Sequence, residues 1–249
     1  MIINLLILIG SALLGGLLSL KYSNRKKLNY SLVLAFSGAY LFSITIIHIL
    51  PELFHSSTDL RLTGIYVLGG FFLQQILEIF TAGAEHGHVH TIDNDHKHSH
   101  KAGLAISLLI GLSVHSILEG SLLTHSHANP ADTSKLAIAI GIGLHKLPAA
   151  FAMMTILLCY YKSKTSPVLF LLLFTLASPL GLIVSQYAID AHFFTQETIT
   201  ILFAIVSGSF LYISTTIVFE STPGHHVKWS KLLVLLLGAG VAVLAELVM

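Results

Sequence analysis

Apolar residues fall along this chain in long unbroken runs, and polar residues gather in the short gaps between them. Eight runs stand out, at about 2–20, 30–50, 60–82, 102–124, 134–161, 166–189, 197–220 and 230–249. Each approaches the roughly 20 residues that a helix needs to cross the hydrocarbon of a bilayer. The pattern predicts an all-α membrane protein of eight transmembrane helices. Little is left for a soluble domain, so residues 1–249 read as a single transmembrane domain.

Composition agrees. The chain is 54% hydrophobic and 10% charged, with a mean hydropathy of +0.82. A soluble domain of this size could not cover so much apolar area with so few charges.

Charge adds orientation. The first run begins MIINLLILIG with no basic segment before it, and Lys21, Arg25, Lys26 and Lys27 follow it. That is the reverse of a secretory signal and predicts a first span with its N-terminus outside. The inner loops then hold ten basic residues, Lys21, Arg25, Lys26, Lys27, Lys97, Lys101, Lys162, Lys164, Lys228 and Lys231, against Arg61 and Lys135 in the outer ones. This is a positive-inside arrangement, and eight spans return the C-terminus to the outside.

The one sizeable polar insertion, EHGHVHTIDNDHKHSH at 85–100, lies between the third and fourth spans. It lacks hydrophobic periodicity and is expected to be a flexible His-rich loop on the cytoplasmic side. Cys159 is the single cysteine, which excludes an intrachain disulfide, and it is expected to be packed as an apolar side chain. SGAYLF (37–42) in the second span is echoed by SGSFLY (207–212) in the seventh, which runs in the opposite direction. An inverted repeat of spans 1–3 and 6–8, with spans 4 and 5 between them, would produce that echo. Two helices each using a Ser-Gly pair for close packing would also produce it.

The chemistry lies where water is scarce. HSILEG (115–120) in the fourth span places His115 and Glu119 at i and i+4, on one helix face. HKLPAA (145–150) places His145 well inside the fifth span. Ionisable groups at that depth cost a few kcal/mol each, so they need a partner or a function. Two imidazoles and a carboxylate suit a divalent first-row cation, zinc first, and three ligands leave the site open for release. The bland alternative is a His–Glu hydrogen bond that staples helices. Lys146 sits too deep to snorkel. Its ammonium either takes the place of a second cation or pairs with Glu119. Pro148 cannot donate to the carbonyl of Leu144, which frees that carbonyl close to His145 and favours a kink.

HSILEG and HKLPAA resemble the fourth- and fifth-span signatures of the ZIP (ZRT/IRT-like) metal transporters. GAYLFSITIIHILPE (38–52) and SPLG (178–181) are similar to the second and sixth spans of that family. The resemblance implies eight spans in a 3+2+3 arrangement, a His-rich loop after the third, and movement of zinc or a related divalent cation into the cytoplasm. It implies a transport site of His115, Glu119 and His145, with Ser116 where many members carry Asn. Ala149 stands where the common fifth-span form has Glu, so with Lys146 present a single-cation site is expected. That combination resembles the branch with His-Lys in the fifth span.

Other candidates surround this centre. His48 and Glu52, at i and i+4 across HILPE, read as an outer access site, as extra ligands to the transport site, or as a solvated helix end. His86, His88, His90, His96, His98 and His100 could hold released metal loosely or form a plain polar linker. His125 and His127, and likewise His225 and His226, read as ordinary loop residues. Gln74, Gln75, Glu78 and Glu220 read as lining of the inner exit or as interfacial polar groups.

The partners implied are the metal ion, the lipid bilayer and, from small-residue faces and the family, a second copy in a homodimer; no nucleic acid and no cofactor are expected. A short chain without a large extracellular domain suggests a bacterial cytoplasmic membrane. Two rival functions remain. A membrane zinc hydrolase would use the same open His/carboxylate set, but the chain shows no HExxH, no nucleophile elbow and no spare carboxylate placed as a general base once Glu119 is a ligand. A non-transporting metal receptor differs from a transporter only in moving nothing. A cation-diffusion exporter would show six spans and a soluble C-terminal domain.

Overall fold

The computed structural model describes residues 2–22, 30–81, 101–124, 133–161, 163–220 and 229–248. The first span is α1 (Ile2–Tyr22) and the second begins as α2 (Tyr30–Ile44). A π-helical stretch (Thr45–Ile49) then leads directly into α3 (Leu50–Ser56). The remaining spans are α4 (Leu60–Thr81), α5 (Lys101–Leu122), α6 (Thr133–Tyr160), α7 (Thr165–Asp190), α8 (Gln196–Glu220) and α9 (Trp229–Val248).

Seven helices among the described residues are long and apolar enough to cross a membrane, α2 to α3 counting as one. The fourth span, α5, has 22 residues, about 33 Å at 1.5 Å per residue. The second span runs past the expected end near residue 50 because Pro51 starts α3 rather than ending the helix. Leu50 N–H bonds back to the Thr45 carbonyl, five residues away, which is the wide turn of the π stretch. Pro51 has no N–H to lose there, so the register shift costs little.

The helices pack in exchanged pairs. α1 lies along α6 as α7 lies along α5, and α2 lies along α9 as α8 lies along α4. Exchanging the first three spans with the last three, and α5 with α6, maps this pairing onto itself. That is the arrangement an inverted repeat requires, and it places the echoed Ser-Gly pairs on related helices.

Glycines set the closest approaches. A Cβ on Gly120 of α5 would strike the Ser178 carbonyl of α7, and one on Gly181 of α7 would strike the Ile117 carbonyl of α5. Gly70 and Gly208 do the same between α4 and α8, against Ile205 and Val67. Small residues let backbones meet where lipid offers no hydrophobic drive for helix association.

Small hydroxyls share the interior with an apolar core, and large apolar side chains cover the outside. Ser37, Thr45, Ser116, Ser178, Ser207 and Ser214 are buried, whereas Ile65, Phe72, Leu176, Leu180 and Leu236 are exposed. Most buried hydroxyls return a hydrogen bond to a carbonyl of their own helix, such as Ser207 to Phe203 and Thr175 to Leu171. Cys159 departs from expectation, being exposed near the end of α6. An apolar thiol in a membrane span loses nothing by facing lipid, so burial was the wrong inference from soluble proteins.

Candidate metal centre

α5 carries His115 and Glu119 one turn apart, and His115 Nε2 lies 3.0 Å from Glu119 Oε1. The HSILEG stretch holds them inward because Gly120, next in sequence, docks α5 tightly on α7. α6 brings His145 to the same point, its ring 6.0 Å from that of His115 and nearly perpendicular to it. α6 continues unbroken through Pro148.

One nitrogen from each histidine and one Glu119 oxygen lie within 4.8 Å of one another, and all three residues are buried. Among the described residues this is the only such group of three. The sequence placed these residues on adjacent spans; the fold brings their ligand atoms together.

Lys146 points into the junction of α5, α6 and α7 and is 1% exposed. Its ammonium donates to the hydroxyls of Ser116 and Ser178 and lies 3.4 Å from Glu119 Oε2. It also sits 4.8 Å from the centroid of the Phe174 ring, within cation–π range. Ser178 in turn donates to the Ser116 carbonyl at 2.8 Å. Ser116 therefore holds the lysine rather than the three-ligand group. Glu119 has one oxygen toward His115 and the other toward Lys146, so a cation bound by the histidines would share this carboxylate with an ammonium.

A second layer comes from α4 and α8. Ser209 donates to Gln74 Oε1 at 2.6 Å and lies 3.5 Å from His115 Nδ1. Tyr212 donates to the Glu78 carboxylate. Gln74 and Glu78 were visible in the sequence as polar residues of an apolar span. Ser178 was visible only within SPLG, and Ser209 only within the SGSFLY echo.

A ZIP Zinc transporter family model matches residues 83–246. The chain belongs to the ZIP zinc transporter family. Among curated relatives, the Zinc transporter ZIP9-B of Xenopus laevis is 28% identical over 176 residues, covering 68% of this chain and 55% of that protein. The Zinc transporter ZIP9 of Xenopus tropicalis is 28% identical over 178 residues, with the same coverage. The chain thus spans about half the length of the ZIP9 proteins it matches.

The other candidates divide. His48 and Glu52 are not members of the three-ligand group; they contact one another, and His48 also contacts Glu246 of α9. The loop histidines His86, His88, His90, His96, His98 and His100 lie outside the described residues, as do His125, His127, His225 and His226. The side chain of Glu220 is likewise outside them.

Proposed function

We propose that this ZIP family member moves zinc, or a related divalent cation, across the membrane through a single-cation site formed by His115, Glu119 and His145. The observation that carries the reading is the convergence of three buried ligand atoms from two spans. That donor set replaces part of the hydration shell of a borderline-hard cation and leaves coordination positions open, which allows release. Family membership and the names of the ZIP9 relatives support zinc as the substrate.

Lys146 supports a single cation. Its ammonium fills the space between Ser116, Ser178 and Glu119 that a second ion would need. Glu119, engaged on both oxygens, is poorly placed to serve as the general base of a hydrolase.

The positive-inside loops favour both termini outside, and the resemblance to the family favours movement toward the cytoplasm. The matched relatives are amphibian, so they lend no support to a bacterial cytoplasmic membrane; the charge argument gives the same orientation in either setting. A homodimer is proposed from the small-residue faces and the family resemblance, and the His-rich loop as a weak holding place for released metal.

Zinc flux into proteoliposomes that enclose a fluorescent zinc indicator tests the reading. Time-dependent entry down a zinc gradient is expected. Saturable zinc binding with no entry, by folded protein in both orientations, would replace the transporter with a receptor.

A further inference from the structure

The end of the second span holds a cluster that the central site does not use. His48 lies within the π-helical stretch and Glu52 in the first turn of α3. Glu246, near the end of α9, approaches from the other side of the imidazole. His48 Nδ1 stands 3.0 Å from Glu246 Oε2 and 3.2 Å from Oε1. His48 Nε2 stands 3.4 Å from Glu52 Oε2. The His48 and Glu52 side chains are each 14% exposed and that of Glu246 is 32% exposed.

We infer that His48 and Glu52 form a second, outer cation-binding site, with Glu246 as the carboxylate that orients His48. Glu246 accepts from Nδ1, which orients the ring and turns Nε2 toward Glu52. Nε2 makes no hydrogen bond and is shielded from water, although a Glu52 oxygen lies close to it. An imidazole nitrogen and a carboxylate oxygen 3.4 Å apart, with no hydrogen bond joining them, form a ready two-atom seat for a cation.

The separation suits one. A zinc-like cation about 2.0–2.1 Å from each atom would subtend about 110° across 3.4 Å, close to the tetrahedral angle. The carboxylate–histidine–metal order is the usual way a protein holds a ligating imidazole. Two carboxylates beside one imidazole also favour cations at the site.

The site has two direct ligands where the central one has three, so it binds more weakly and completes its shell with water. That fits capture at the mouth of the path followed by transfer inward. π-Helical turns are frequent at functional sites, and here one sets the register of His48 relative to Glu52. The inference shares with the proposed function only the kind of cation; the site rests on its own geometry.

Equilibrium zinc binding to the purified full-length chain in nanodiscs tests it, comparing the parent with His48→Gln, Glu52→Gln, Glu246→Gln and His115→Ala. His48→Gln is expected to lose one bound equivalent, and His115→Ala a different one, so the two losses add in the double variant. The His-rich loop contributes equally to all and cancels in the differences. Glu246→Gln is expected to keep the outer equivalent with affinity lowered about 10- to 100-fold.

Should His48→Gln fail to fold, Glu52→Gln reads the same equivalent. A folded His48→Gln or Glu52→Gln that binds zinc with the parent's stoichiometry and affinities would overturn the site. A Glu246→Gln that melts earlier but binds both equivalents with the parent's affinities would overturn the orienting role of Glu246 and leave it as a staple between α9 and the second span. A parent that binds both equivalents but moves no zinc would overturn the transport reading and leave this site standing.

Discussion

The ammonium of Lys146 stands 3.4 Å from Oε2 of Glu119, with each side chain no more than 2% exposed. His115 holds the other Glu119 oxygen at 3.0 Å. The carboxylate therefore has a cationic partner whether or not metal is present, and an arriving cation must compete with the lysine for it.

Replacing Lys146 with Met is expected to separate stability from affinity. Removing one partner of a buried pair costs about 3–5 kcal/mol, with the lower end expected because His115 still bonds Glu119. Zinc should bind more tightly to the variant and restore much of the lost stability by mass action. Melting with and without zinc checks this, the expected result being a lower apo midpoint and a larger zinc-induced rise than in the parent.

A carboxylate at the same position tests whether the lysine stands in for a second ion. Lys146→Asp is expected to gain one zinc equivalent over the parent, with Ser116 and Ser178 beside it to complete the shell. Equilibrium dialysis reads the count directly; an unchanged stoichiometry would leave the lysine as a simple counter-ion to Glu119.

Ser209 bridges Gln74 and the Nδ1 side of His115. Partners on the far nitrogen of a ligating histidine typically matter 10- to 100-fold in metal affinity. At 3.5 Å the contact is long, so Ser209→Ala is expected to weaken zinc binding about 10-fold, and Ser209→Thr, which keeps the hydroxyl, to stay near the parent. Calorimetric titration of both variants checks it, with melting measured in parallel to separate affinity from packing.

The reciprocal contact of Gly120 with Ser178 and of Gly181 with Ile117 leaves no room for a methyl group. Gly120→Ala and Gly181→Ala should each destabilise the fold by about 1–3 kcal/mol and displace Glu119, which precedes Gly120. The double variant should cost less than the sum of the singles, because the first already forces α5 and α7 apart. Thermal unfolding in detergent gives all three values.

The spans were legible because apolar runs of bilayer length report directly on a membrane fold. His115, Glu119 and His145 were legible because charge at that depth is costly and stands out in an apolar run. Their partners were harder to see. Ser178, Ser209 and Glu246 come from helices distant in sequence, and serine is common in packed spans for reasons unrelated to a site. Which span meets which depends on the exchanged pairing of helices, which no local pattern encodes. The apolar run of the second span fades near residue 50, and the helix reaches Ser56 because a π turn leads directly into α3 with Pro51 in its first turn. The exposure of Cys159 was missed because its burial was inferred from proteins surrounded by water.

The most direct measurement is initial zinc flux into proteoliposomes by the parent and by His115→Ala, Glu119→Gln and His145→Ala, each confirmed as folded and inserted. The account predicts entry by the parent and loss of most of it in every one of the three variants. Flux at the parent's rate in a folded His145→Ala would contradict a shared site, since the fifth span, α6, would then contribute no ligand to the path.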